Sequence, residues 1–244
     1  MIEDMIREGN ISQEVSEFLG FVVSSGVNIV ISGLSGSGKV TQLMGLVQYT
    51  DPKIRILSYE NSREQQEKQS TNTLNNFIAI STKDNQGMQI GDLVESPLLS
   101  KASIFIIGEV TNEEIAKKAL HAMNIGHTVW TTIHEDSAVK AVKRIWNLNG
   151  GIRPGTGFEL ILHLQKLESG NRVITEISEI TGYSNQNEPM LNTIFKYDFQ
   201  EQKHVRVGSI TSESLLKCFE TLEMDRDVIK RWCHSKLSKE VMLS

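Results

Sequence analysis

One stretch constrains this chain more than any other. The apolar run Val27-Asn28-Ile29-Val30-Ile31 reads as a buried strand, and 42–48 reads as a helix. Between them stands Gly33-Leu34-Ser35-Gly36-Ser37-Gly38-Lys39-Val40-Thr41. Strand, glycine-rich turn and helix is the setting of a phosphate-binding loop. Glycine lets the backbone curl round an oxyanion where a side chain would clash. Successive amide N–H groups and the helix N-terminus then present positive charge to it. Lys39 sits where the motif places the lysine that reaches the terminal phosphates. A turn that only joined strand to helix would have no need of that lysine. The candidate phosphate-binding residues are therefore Gly33, Ser35, Gly36, Ser37, Gly38, Lys39, Val40 and Thr41.

One position departs from the motif. Its lysine is followed by Ser or Thr, whose hydroxyl binds Mg²⁺. Here the residue is Val40, which has almost the shape of threonine but no oxygen for a hard cation. Thr41 comes next, but one residue turns a helix by about 100°, so its hydroxyl points elsewhere. The phosphate cradle is complete in the sequence; a direct metal ligand is not.

The remaining composition narrows the class. A chain of 244 residues makes one large domain or one and a half, enough to bury a core without staples. A net charge of −5 leaves no footprint for general or sequence-specific nucleic-acid binding. Lys117-Lys118 and the basic residues of 140–144 read as solvated helix faces. Cys218 and Cys233 fit reduced thiols of a cytosolic protein, and no metal-ligand spacing is present. The N-terminus reads as no signal peptide, and no window approaches a membrane span.

Along the chain, Val15, Phe18, Leu19, Val22 and Val23 form the apolar stripe of a helix over 11–23, with Ser12 as its N-cap. A second strand at 54–59 ends in Glu60-Asn61, where a parallel sheet carries functional groups. A polar loop at 61–76, a short strand at 77–80 and a helix over 86–99 follow. Ile104-Phe105-Ile106-Ile107 reads as a central strand buried on both faces, ending in Gly108-Glu109. Then come a helix at 112–123, a strand at 127–133 bounded by His127 and His134, and a helix at 136–147. After Gly150-Gly151 the pattern changes to a hairpin, 160–167 and 172–180 about the turn Glu168-Ser169-Gly170-Asn171. Phe195, Tyr197 and Phe199 alternate on a further strand. Helices at 212–223 and 226–237 close the chain.

Four motifs thus stand in one order: the loop at 33–41, Tyr59-Glu60-Asn61, Ile106-Ile107-Gly108-Glu109-Val110, and Asn124-Ile125-Gly126-His127 continuing to Thr132-Ile133-His134. This order resembles the secretion and pilus motor ATPases of type II secretion, type IV pili and type IV secretion, most of all their CpaF-like branch. The segment 169–177 is similar to that branch as well. The resemblance implies an α/β fold: a RecA-like P-loop NTPase core with a mainly parallel sheet, plus a small antiparallel meander and C-terminal helices. The implied division is a core at 1–150, a β extension packed on it at 151–204, and helices at 205–244. It also implies ATP and Mg²⁺ as ligands, a homo- or hetero-hexameric ring, and a cytoplasmic place on the inner membrane face through a platform protein. Glu60 matches the family's aspartate-box acid and Glu109 its acidic-strand glutamate. His127 and His134 match its histidine box, in the region of the γ-phosphate.

Departures from the family's pattern bear on activity. Besides Val40, Asn61 replaces an Asp and Thr111 stands where an Arg usually follows Gly-Glu. The segment 99–103 lacks the usual arginines and Pro-Asp pair, and the family's additional N-terminal domain is expected to be absent. Arginine charge on the transferring phosphoryl group is worth about 10³–10⁵ in rate in other NTPases. The expectation is a weak ATPase of a secretion, pilus or conjugation machine, with a non-hydrolysing nucleotide-binding scaffold as the alternative. Arg63, Arg144, Arg153 and Arg172 remain as possible charge donors, and the sequence does not choose among them. A small-molecule kinase is disfavoured: nothing resembles an arginine-rich lid, and it leaves the histidine pair unexplained.

Overall fold

The computed structural model describes residues 2–60, 76–81, 101–151, 157–221 and 224–233. The expected helix at 86–99, the polar stretch 61–75, Asn61, Arg63 and Arg153 lie outside them. Among the described residues nine strands form one sheet: β1 (Ile29–Gly33), β2 (Ile56–Glu60), β3 (Phe77–Ser81), β4 (Ile104–Ile107), β5 (Thr128–Ile133), β6 (Leu160–Lys166), β7 (Arg172–Tyr183), β8 (Pro189–Asp198) and β9 (Lys203–Arg206). The spatial order is β3-β2-β4-β5-β1-β6-β7-β8-β9. Every pairing from β3 across to β6 is parallel, and β6 to β9 pair antiparallel.

β1 and β4 are buried at every position. Such strands must be covered on both faces, and helices do so. On one side lie α1 (Ile2–Arg7), α2 (Gln13–Ser24), α3 (Lys39–Val47), α6 (Glu213–Thr221) and α7 (Arg226–Trp232), over Ile29, Ile31, Trp130, Leu162 and Leu164. On the other lie α4 (Glu113–Asn124) and α5 (Ala138–Leu148), over Val30, Phe105, Ile107, Val129 and Ile161. The alternation of Ile29, Val30 and Ile31 between two cores is the period-2 pleat of a strand. Ser12, Asn112 and Ser137 cap α2, α4 and α5 by accepting from the N–H three residues on.

The antiparallel strands β6 to β9 continue the sheet of the parallel strands. β6 pairs with β1 from Ile29↔Leu160 to Gly33↔Leu164, and its first five residues are buried. β1 therefore has a neighbour on either side, with no edge to leave unpaired. β8 starts earlier than its aromatic alternation suggests and stops at Asp198; Phe199 lies just beyond, exposed and edge-on to Tyr197. The sequence reading missed α1 and β9, elements of six and four residues that are too short to show a period.

Candidate nucleotide-binding site

Parallel strands bring their carboxyl ends to one edge of the sheet, and the candidate residues follow from that. The loop leaves β1, Glu109 follows β4, His134 follows β5, and Glu60 ends β2. At about 4.8 Å per strand, Glu109 sits two strands from the loop and Glu60 three. Glu109 is partly buried and close enough for its charge to act on Lys39.

The loop is a cradle. Gly38, at φ 93°, is the N-cap of α3, and Gly36 has φ 75°. A Cβ on Gly33 would collide with Ser37 Oγ and with the Leu164 carbonyl, so only glycine lets the turn close onto β6. The first intrahelical bond of α3 runs from Gln42 N to Gly38 O at 2.9 Å, leaving earlier amides at the open helix end. Ser37 Oγ is buried and makes no hydrogen bond to a described residue. Lys39 Nζ donates to the carbonyls of Gly33 (2.7 Å) and Leu34 (3.1 Å), folding back across the turn. Burial holds this lysine below its ordinary pKa, and the charge of Glu109 partly opposes that. Buried donors and a half-buried cation round an open helix end suit an oxyanion.

They do not suit a directly bound magnesium ion. Val40 is partly buried at the position where a hydroxyl is needed, and Thr41 is exposed. Among the described residues no group of three or more His, Cys, Asp or Glu side chains is arranged to hold a metal.

The two histidines separate. His134 is exposed at the carboxyl end of β5, beside β1. Arg144 Nη1 donates to its carbonyl at 2.9 Å and to Glu135 Oε1 at 3.1 Å. His127 precedes β5 at the opposite edge of the sheet, about 20 Å away along the strand. There its Nδ1 lies 3.0 Å from the Ala102 carbonyl. Within one chain His127 does not join the loop, Glu109 and His134.

Of Arg144 and Arg172, the two open candidates among the described residues, Arg172 is the one that meets the loop. It opens β7, directly across from the end of β6. Its Nε donates to the Gly36 carbonyl at 2.8 Å, and its Cδ lies 3.0 Å from where a Cβ on Gly38 would be. Sequence reading missed His163 altogether. It is 4% exposed on β6, beside Ser32 of β1, with Nδ1 2.8 Å from Ser32 Oγ. The signal available was a single histidine inside the apolar run Leu160-Ile161-Leu162-His163-Leu164.

With this geometry in view, comparison with known proteins decides the family. The family model described as Type II/IV secretion system protein matches residues 2–175. The chain belongs to that family. It is 26% identical over 215 residues to the conjugal transfer protein TrbB of Rhizobium radiobacter, covering 84% of this chain and 63% of TrbB. An uncharacterized protein of Methanocaldococcus jannaschii is 25% identical over 224 residues, covering 85% of this chain and 38% of that protein. The chain thus spans less than two thirds of the length of either relative. Among solved structures, the VirB11 ATPase of the Brucella suis type IV secretion system superposes with a TM-score of 0.54 at 17% identity, covering 67% of this chain and 51% of VirB11. The likeness establishes the fold, which is RecA-like. No helix among the described residues is long and apolar enough to cross a membrane.

Proposed function

We propose that this protein is a nucleotide-binding subunit of a secretion, type IV pilus or conjugation machine, and that it binds ATP and hydrolyses it weakly. The observation that carries the proposal is the cradle of Gly33 to Lys39 at the same sheet edge as Glu109. In this reading the glycine-rich turn and the start of α3 hold the phosphates, and Lys39 swings from the Gly33 and Leu34 carbonyls onto them. Glu109 accepts a hydrogen bond from the attacking water and orients it. His134, beside the loop, faces the terminal phosphate. Glu60 supplies a second carboxylate at the far end of the same edge. Mg²⁺ would be held through the nucleotide and water rather than by the protein, because residue 40 offers it no ligand. A hexameric ring docked on an inner-membrane platform protein, on the cytoplasmic side, is the assembly that the family membership supports for this chain.

Val40 favours a second reading, a subunit that holds nucleotide without turning it over. One experiment separates the two: nucleotide binding and ATP turnover, with magnesium supplied, for wild type, Lys39→Ala and Val40→Thr. Turnover lost in Lys39→Ala establishes the ATPase. Binding without turnover establishes the scaffold, and a gain in Val40→Thr would then locate the defect at residue 40. Absence of nucleotide binding in wild type rules out both.

A further inference from the structure

Beneath the loop lies a buried histidine to which the proposed mechanism gives no work. His163 is on β6, and its ring reaches sideways to Ser32 on β1, immediately before Gly33. Its Nε2 is buried and makes no hydrogen bond of normal geometry to a described residue. The Asp136 backbone carbonyl, in the turn that follows His134, lies near the ring. His163 therefore stands between the base of the phosphate loop and the turn after β5. Neither His163 nor Ser32 is exposed enough for this pair to be a surface accident.

We propose that His163 positions the base of the loop through Ser32 and takes up a proton when phosphate charge arrives beside Lys39. The proposal rests on the nucleotide-binding reading above. Four influences act on the ring. Burial disfavours its charged form, and so does the Lys39 charge from α3. Glu176, its cross-strand partner on β7, and Asp136, from the β5–α5 turn, favour that form. The balance holds the free-state pKa below the ordinary histidine value. Phosphate bound against Lys39 cancels the repulsion from that lysine and adds negative charge of its own. The bound-state pKa then lies above the free-state one. Binding takes up a proton, and by linkage acid tightens binding. The imidazolium is a donor at both nitrogens, with Ser32 Oγ beside Nδ1 and the Asp136 backbone near the ring. Proton uptake therefore ties the strand that carries the loop to the turn that carries His134.

The test uses the full chain and ATP. The imidazole signal of His163, assigned by its loss in His163→Gln, is titrated by NMR with and without saturating ATP. Equilibrium binding is measured in parallel from pH 6 to 8. The expected result is a His163 titration that moves to higher pH with ATP. Wild type should also gain about threefold more affinity than His163→Gln between pH 8 and pH 6. Protonation of ATP itself is common to both proteins and cancels in that comparison. Should His163→Gln fail to fold, Ser32→Ala assigns the signal instead, as the imidazole resonance that shifts when the hydroxyl beside Nδ1 is removed, and the titration with and without ATP decides. ATP binding with an unmoved His163 titration, or with the same pH dependence in His163→Gln, overturns this inference and leaves the nucleotide-binding reading intact. Failure of wild type to bind ATP overturns both.

Discussion

Arg172 shows how one side chain can serve a site from a distant part of the sequence. It is exposed, so most of its charge is screened, and its structural value is modest. The single bond to the Gly36 carbonyl is worth about 1 kcal/mol. It is made, however, to the loop that has to hold phosphate in shape. Arg172→Ala is expected to weaken ATP binding several-fold while shifting the thermal midpoint only slightly. Calorimetric binding together with a thermal melt checks both halves, and a large drop in midpoint with unchanged affinity would make Arg172 a stability residue. Lys39 differs in kind. It is half-buried, its partners are main-chain carbonyls, and phosphate oxygens can replace them without rearranging the fold. Lys39→Ala should therefore abolish nucleotide binding and leave folding intact, as the turnover experiment above reads out.

The meander and the C-terminal helices meet at a buried carboxylate. Glu179 on β7 has no exposed surface. It accepts from Asn192 Nδ2 (2.9 Å), Thr211 Oγ1 (2.9 Å), Thr211 N (3.0 Å) and Ser212 N (2.6 Å). The last two are main-chain donors just before α6 begins at Glu213, so the carboxylate caps the approach to that helix. Removing one partner of a buried charged network strands the rest. Glu179→Ala should cost about 3–5 kcal/mol in urea unfolding, while ATP affinity per folded molecule stays within twofold. Glu179→Gln keeps one acceptor oxygen and should cost less. Equal losses for the two variants would mean that charge, not acceptor geometry, holds α6 in place.

Taken whole, the molecule is a sheet clamped between two helical layers, with the loop-bearing strand inside it. Trp130 ties this arrangement together. Its side chain has no exposed surface, it packs in the core under α2 and α3, and its Nε1 donates to the Val27 carbonyl at 3.1 Å. Trp130→Ala leaves a cavity beneath β1 and an unpaired carbonyl. It should cost about 3–5 kcal/mol in urea unfolding. Because β1 carries the loop, nucleotide affinity should fall with it, unlike the Glu179 variants. Retained affinity in a destabilised Trp130→Ala protein would show that the loop is held by β6 and Arg172 alone.

The local pattern of the chain was enough to place β1, the loop, α3 and the carboxylate-bearing ends of β2 and β4. Strand burial, helix periodicity and the needs of an oxyanion are all written within a few residues, as in Ile104 to Ile107 before Gly108-Glu109. The loss of a metal-ligating hydroxyl at Val40 was legible for the same reason, since it is a property of one side chain. Tertiary structure alone decided the rest. That β6 pairs with β1, bringing Arg172 onto Gly36 and His163 onto Ser32, depends on contacts more than 130 residues apart in the chain. Periodicity fixes which face of an element is buried; it says nothing about which neighbour buries it, and the neighbours are what make this site.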